Sequence, residues 1–297
     1  MCLKPVHLAT ALAAVLAISG AASPASALFG KAKPKAEAPQ KAAETAKADA
    51  AGAAPQATQI RKASPEQRAA AERMEPLSRA TFWSREAQVD PSDVEANVKL
   101  SKALRALGRF EEAGQASGAA LVMSPSDLEA MLEFARARIG AGQAFYAIEQ
   151  LQKARVLAPK DWRPVSLLGV ALEQTERPDE ARAAFDQALV LSPENPAVLS
   201  NLALFVAARG DPGQAEALLR RAVARPEATT QERLNLALVL GLQGKMAEAE
   251  RLLRQELPPE VANANLAYLR ADARPPAGAA NARNWGALEG AQGAPLR

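Results

Sequence analysis

The sequence predicts an all-α fold in which pairs of helices stack one after another as a solenoid. Two observations carry this prediction. Small residues recur every 34 positions, and the large apolar residues between them recur at the three- and four-residue steps of amphipathic helices. Composition agrees, because a chain that is 48% hydrophobic but only 4% aromatic, and rich in alanine, favours helices over sheets.

Alanine recurs every 34 residues because two closely crossing helices leave room for little more than a methyl group between their axes. Glycine recurs at the same interval where the first helix of each pair ends, because the chain needs a residue in the left-handed conformation there. Glu176 fills the one slot of the glycine series that lacks a glycine. The structural repeat positions are Ala113, Ala147, Ala181, Ala215 and Ala249 for alanine, and Gly108, Gly142, Gly210 and Gly244 for glycine.

A period of 34 residues built from paired helices is typical of the tetratricopeptide repeat. We predict a right-handed solenoid over residues 64–270, with about five helix-turn-helix units, a leading half unit and a C-terminal capping helix, flanked by disordered tails.

Ser64 is predicted to begin a helix through a capping box. The half unit is expected at about 78–90, with Phe82 and Trp83 on its packing face, and the capping helix at 260–269. Each predicted cap of a first helix is an Asp or Asn that can accept from unpaired amides: Asp93, Asp127, Asp161 and Asn195.

The start of the chain is typical of an export signal over residues 1–27. Lys4 precedes an apolar run of residues 8–18, and small residues lead to a predicted cleavage after Ala27. The run is shorter than the roughly 20 residues that span a bilayer as a helix, so an uncleaved anchor is the weaker interpretation. Cys2 precedes the apolar run, which argues against a lipid anchor. We therefore expect an exported, soluble, periplasmic protein.

The segments on either side of the predicted repeats have a low-complexity composition. Residues 28–63 are rich in Lys, Ala and Pro, and residues 271–297 in Pro, Gly and Ala. Such segments bury too little apolar surface to offset the entropy of ordering them, so both are predicted to be disordered. The basic linker could contact an anionic envelope surface weakly, or it could be a solvated spacer.

Composition also excludes several kinds of chemistry. The only histidine, His7, and the only cysteine, Cys2, both lie in the predicted signal. The processed chain would then lack the imidazole and thiol groups of Ser-His-Asp and Cys-His catalysis and of the usual zinc and haem sites. The net charge is only +3, and the repeats show no basic face interleaved with aromatic residues as nucleic-acid binding requires. We expect no enzyme activity, cofactor, metal, small-molecule substrate or nucleic-acid partner.

A surface for protein or peptide partners remains, and the first helices should line its concave side. Asn201 and Asn235 lie one period apart, and a ladder of side-chain amides could pair with the backbone of an extended peptide. Alternatively, these amides bond to neighbouring parts of the protein. Basic residues in the first two units would select an acidic stretch. The candidate partner-binding residues are Lys99, Lys102, Arg105, Arg136, Asn201, Leu204, Asn235 and Leu238, with Glu133 beside them.

The last unit carries a more specific likeness. It contains Asn235-Leu236-Ala237-Leu238, Gly241-Leu242-Gln243-Gly244, Ala247-Glu248-Ala249-Glu250, Leu257-Pro258-Pro259 and Asn265-Leu266-Ala267-Tyr268-Leu269. This block resembles the C-terminal part of the TadD family of tight-adherence (Tad/Flp) pilus assembly proteins. The resemblance implies a periplasmic assembly factor that supports an outer-membrane secretin or another part of the pilus machine. Members are typically lipoproteins, whereas no cysteine follows the predicted signal here. The alternative is a general envelope adaptor for a cell-wall enzyme or division complex.

Overall fold

The computed structural model describes residues 61–272. Within that range the chain forms thirteen α-helices and no β-strand, which confirms the all-α prediction. None of these helices has both the length and the apolar character needed to cross a membrane. The helices are α1 (Pro65–Ala71), α2 (Pro76–Val89), α3 (Val94–Ala106), α4 (Phe110–Met123), α5 (Leu128–Gly140), α6 (Phe145–Leu157), α7 (Trp162–Gln174), α8 (Pro178–Leu191), α9 (Pro196–Ala208), α10 (Pro212–Val223), α11 (Thr230–Leu242), α12 (Met246–Glu256) and α13 (Pro259–Asp272).

Five helix pairs follow one another, from α3 with α4 to α11 with α12. The short α1 and the longer α2 precede them, and α13 packs against both helices of the last pair. The predicted half unit therefore corresponds to α2, and the predicted capping helix to α13. The predicted signal with its cleavage at Ala27, most of the linker and the tail beyond residue 272 lie outside the described residues, so those boundaries stay predictions.

The repeated small residues have the environments that the sequence predicts for them. The five alanines of the series from Ala113 to Ala249 are fully buried, as tight helix crossings require. The four turn glycines have φ between +71° and +89°, and Glu176 adopts φ +60° in the slot that lacks a glycine. The backbone thus repeats its left-handed turn even where the side chain disfavours it.

Side-chain caps begin the first helices as predicted. Asp93 accepts from the amide of Ala96 at 3.0 Å, and Asp127 accepts from the amide of Ala130 at 2.7 Å. Asp161 and Asn195 cap α7 and α9 in the same way. Ser64 forms the predicted capping box with Gln67 at the start of α1. Each cap satisfies amides that have no partner within the helix.

The apolar core is unevenly distributed along the solenoid. One continuous cluster of buried side chains runs from Leu132 in α5 to Leu269 in α13. Two smaller clusters, one around Trp83 and one around Leu104, hold the first four helices together. Trp83 is 1% exposed, and Phe82 meets it edge to face with ring centroids 5.1 Å apart. Both side chains therefore pack at this end of the solenoid, as predicted.

Candidate binding surface

The first helices of successive units form one wall of the solenoid. Each of them contacts the first helix of the next unit, from α3 with α5 to α9 with α11, whereas contacts between successive second helices are sparse or missing in the described range. Closer spacing along one side bends a stack toward that side. We call this side the inner wall and the side formed by the second helices the outer face.

One row of residues follows the inner wall from unit to unit at the same helical position. Successive members lie 34 residues apart: Lys102, Arg136, Val170, Leu204 and Leu238. We call this set the inner row. Its chemistry changes along the solenoid, because the first two side chains are cationic and the last three are apolar. Lys102 is exposed, Arg136, Val170 and Leu204 are half-buried, and Leu238 is 7% exposed.

The basic end of the inner wall is built around one buried carboxylate. Glu133 is 3% exposed and accepts from Arg105 at 3.1 Å and from Arg136 at 2.7 Å. Two guanidinium groups share this single acid, so the trio keeps a net positive charge. Lys99 pairs with Glu72 at 3.2 Å, and Lys102 adds a further cation. The structure therefore brings the predicted basic residues of units one and two onto one surface.

The apolar end of the wall contains the two predicted asparagines. Asn201 donates to the hydroxyl of Ser166 at 3.0 Å, and Asn235 donates to the hydroxyl of Ser200 at 2.8 Å. Gln231 also donates to the side-chain oxygen of Asn235 at 3.0 Å. The amides thus form bonds between successive first helices, as in the alternative interpretation. Their contact with a partner stays a prediction.

The candidate residues at the apolar end of the wall differ in how exposed their side chains are. Asn235 is 4% exposed and Leu238 is 7% exposed, whereas Leu204 and Asn201 are half-buried. Helix α13 packs against α11, with Leu269 beside Gly241, and the inner-wall residues of α11 are buried at this end. The accessible apolar part of the inner row therefore lies in units three and four.

Sequence reasoning missed two residues of this part. Val170 belongs to the inner row, and Leu167 lies one turn before it in α7; both are half-buried. The 34-residue step from Arg136 to Val170 and on to Leu204 is the signal that could have identified Val170. A valine in an amphipathic helix is ordinarily expected in the core, so charged and amide side chains stand out more readily at such positions.

A second charged cluster lies at the N-terminal end of the solenoid, where it joins α1, α2 and the start of α3. Arg68 donates to Glu86 at 2.8 Å and to Asp93 at 2.6 Å, and its guanidinium lies over the ring of Trp83. Lys62 also pairs with Asp93. Burial would raise the pKa of Asp93, but hydrogen bonds from Arg68, Lys62 and the Ala96 amide outweigh it and lower this pKa to about 2. Because the cations already have partners, we assign this cluster to stability.

Metal chemistry finds no support in the described range. Between residues 61 and 272, no group of three His, Cys, Asp or Glu side chains comes close enough together to hold a metal ion. Pairs of acids begin two of the second helices, Glu111-Glu112 in α4 and Asp179-Glu180 in α8, and all four side chains are exposed. The helix dipole favours negative charge at these positions. Glu112 pairs with Arg109, and Glu180 with Arg177.

Comparisons with known proteins agree with this architecture. Residues 172–229 match one family model described as tetratricopeptide repeat, and residues 233–255 match another with the same description. No curated protein matches the chain.

Solved structures of other proteins share the fold. The tetratricopeptide-repeat protein TTC0263 of Thermus thermophilus is 23% identical and superposes with a TM-score of 0.55, over 60% of this chain and 99% of that one. A chain of the APC/C hetero-tetramer Cut9-Hcn1 is 14% identical, with a TM-score of 0.51 over 71% of this chain and 49% of that one. At these identities the likeness concerns the fold alone. Folds of this kind typically serve as non-catalytic scaffolds that bind other proteins. The described part of this chain is a tetratricopeptide-repeat solenoid.

Proposed function

We propose that this chain is an exported scaffold that holds a peptide segment of a protein partner along its inner wall during Tad/Flp pilus assembly or secretion. The observation that carries the proposal is the inner row, which passes from two cations in units one and two to accessible apolar side chains in units three and four. A segment that is acidic at one end and apolar at the other matches this order.

The geometry sets the length of that segment. The accessible part of the inner row runs from Lys102 to Leu204 and spans three unit steps, so at roughly 10 Å between packed helices it extends about 30 Å. An extended peptide of about nine residues covers this distance at roughly 3.3 Å per residue. Lys102, Arg105 and Arg136 would meet its acidic half, and Val170 and Leu204 its apolar half. Asn201 keeps hydrogen-bonding capacity for a peptide backbone after its bond to Ser166, because an amide has two donor hydrogens and an acceptor oxygen.

A binding measurement tests this arrangement directly. A fluorescent peptide of about nine residues, with one half rich in Asp and Glu and the other half rich in Leu, should bind the purified chain. The double variant Lys102→Glu and Arg136→Glu reverses the charge of the basic end and should weaken binding at least about tenfold, with the loss reduced at high salt.

Arg251→Glu is the control for a charge reversal outside the groove, because Arg251 is an exposed arginine on α12, in the outer face. It should change the affinity by less than about twofold, as expected for a charge far from the contact. Equal losses in the control and the double variant would show that only net charge matters, which would contradict the proposed groove. A peptide with the acidic half alone should bind more weakly than the complete one.

The pilus assignment rests on the resemblance of the last unit and on the predicted export signal. Deleting the gene for this chain should remove surface fibres, and the chain should co-purify with a secretin or another pilus protein. N-terminal sequencing of the mature protein should find cleavage after Ala27. Normal fibres together with altered cell shape or wall would instead support the second candidate, an envelope adaptor for a wall enzyme or division complex.

A further inference from the structure

Helix α6 exposes large apolar side chains where its neighbours carry acids. Phe145 and Tyr146 begin this helix with 73% and 63% exposure. The same positions one period earlier and later are Glu111-Glu112 in α4 and Asp179-Glu180 in α8. Acids at a helix start are favoured by the helix dipole, so the aromatic pair replaces a locally favourable choice. The two rings meet edge to face with centroids 5.7 Å apart, but most of their surface faces water and is not packed against the core of the repeat.

The other end of α6 is apolar as well. Val156 is 78% exposed and Leu157 is 50% exposed. Between the two apolar ends, Glu149 and Lys153 form an exposed ion pair at 2.7 Å. On a helix with 3.6 residues per turn, these six residues occupy one side, opposite the buried Ala147, Leu151 and Ala154. We call this stripe the α6 outer surface.

The stripe is complementary to itself when it is turned around. A two-fold axis perpendicular to α6 at the level of Leu151 lays a second copy antiparallel on the first. Residues equally far from Leu151 then face each other: Phe145 meets Leu157 of the second copy, Tyr146 meets Val156, and Glu149 meets Lys153. Each apolar end thus meets the opposite apolar end, and each charge meets its opposite. A parallel arrangement would instead place Glu149 against Glu149, which like-charge repulsion disfavours.

We propose that the α6 outer surface is a self-association site, through which two copies of this chain pair about a two-fold axis. The charge complementarity of Glu149 and Lys153 selects a second copy over an unrelated partner, because the order apolar, acidic, basic, apolar is the one that an antiparallel copy satisfies. Val122 of α4 and Val190 of α8 lie one period from Val156 and are 78% and 79% exposed, so they extend the apolar rim on both sides. The inner walls stay open in this dimer, because they lie on the opposite side of the solenoid.

The expected dimer is weak. A single helical stripe with its rim buries less than the roughly 800 Å² per partner of a standard interface. We therefore expect an equilibrium between monomer and dimer in the micromolar range. Sedimentation equilibrium of the full chain, loaded from about 5 μM to about 500 μM, should show the average mass rising toward twice the monomer mass.

Charge reversal provides the sharpest test. Glu149→Lys alone leaves two lysines on each stripe, facing the same two lysines of the second copy, and Lys153→Glu alone places two acids against two acids. Each variant should dimerise at least about tenfold more weakly than the unchanged chain. An equimolar mixture of the two should regain association, because acids then face lysines across the interface. An effect within one helix cannot produce this recovery, since the helices of both variants stay as they are.

The apolar contribution is tested by Tyr146→Lys, which should weaken association at least about tenfold. Leu77→Lys is its control, because Leu77 is 60% exposed on α2, far from the stripe. Circular dichroism checks that all variants keep their helices. A monomeric mass at every concentration, equal losses in Tyr146→Lys and Leu77→Lys, or a mixture that stays monomeric would each overturn the proposal. So would a chain that stays monomeric while Tyr146→Lys abolishes capture of another protein. The peptide measurement above uses a different surface, so either proposal can fail without the other.

Discussion

Helices α1 to α3 and helices α9 to α11 follow the same repeat plan, but different forces hold them together. At the front, the buried Glu86 and Asp93 are bound by Arg68, and the apolar clusters are small. Further along, α9 contains no charged residue, and nine of its thirteen residues are buried within the continuous core or beside it. The inner wall shows the same division, with cations in the first two units and apolar side chains in the later ones.

This comparison shows what the repeat does and does not specify. The period fixes the small residues at the helix crossings and the turns between helices, because these set the distance between axes. The remaining positions can be filled by ion pairs or by leucines without changing the fold. One scaffold can therefore present a charged and an apolar surface side by side.

The largest expected difference concerns core truncation. Leu199→Ala empties a fully buried site in the continuous core, and Leu104→Ala empties a 6% exposed site in a small cluster composed mainly of alanines. Such truncations cost about 2 to 5 kcal/mol, with more cost where the surroundings cannot relax. We expect Leu199→Ala near the upper end of that range and Leu104→Ala near the lower end.

Urea unfolding followed by circular dichroism measures both free energies of unfolding, and hydrogen exchange locates the loss. Amides of α9 and α10 should lose protection in Leu199→Ala, and amides of α3 and α4 in Leu104→Ala, because each unit contacts chiefly its neighbours. Equal costs at the two sites would remove the distinction between the two regions.

The fold was predictable because its determinants are local and repeated. Ala181 and Gly142 follow the 34-residue step, and Asp127 stands at the cap position of its helix, so period and capping rules place them without knowledge of distant contacts. The front cluster was not predictable in this way. Arg68, Glu86 and Asp93 come together across three helices, and their spacings of 18 and 25 residues follow no repeat.

A second difference between the two regions concerns their stability at low pH. Asp93 has a pKa of about 2 in the folded protein against an ordinary 3.8. A lowered pKa means that the contribution to stability is present above pH 3.8 and is lost as the pH falls toward 2. The loss should be on the order of 2 kcal/mol and should affect α1 to α3. Asp93→Asn keeps an oxygen for the cap but removes the charge, so it should be less stable than the unchanged chain at about pH 7 and nearly equal to it at about pH 2.

Unfolding free energies measured from about pH 7 to about pH 2 check this expectation, with Asp179→Asn as the control. Asp179 is exposed on α8, so its replacement should leave the pH profile unchanged. A profile for Asp93→Asn that runs parallel to that of the unchanged chain at all pH values would show that the front cluster does not depend on this charge.

The candidate site was only partly predictable. The inner-wall positions of Lys102, Arg136 and Leu204 follow from the helical register, and the structure places all three in one row. The bonds of Asn201 to Ser166 and of Asn235 to Ser200 did not follow, because register gives the direction of a side chain but not the neighbour it reaches. The packing of α13 against α11 likewise depends on how the chain turns after Pro258, and the 34-residue period does not specify that turn.

The smallest expected effect lies at Glu176, in the unit between the two regions. Its φ of +60° is disfavoured for a residue with a side chain, and the other units use glycine in this slot. Glu176→Gly should therefore raise the free energy of unfolding by up to about 1 kcal/mol, whereas Glu176→Ala should give no such gain. Glu194 shares the left-handed conformation, with φ +59°, but it pairs with Arg221 and Arg225. Glu194→Gly should consequently gain less than Glu176→Gly in urea unfolding, because the relief of strain is offset by the lost ion pairs. A larger gain at Glu194 would mean that these pairs contribute nothing and that strain alone decides the outcome at both turns.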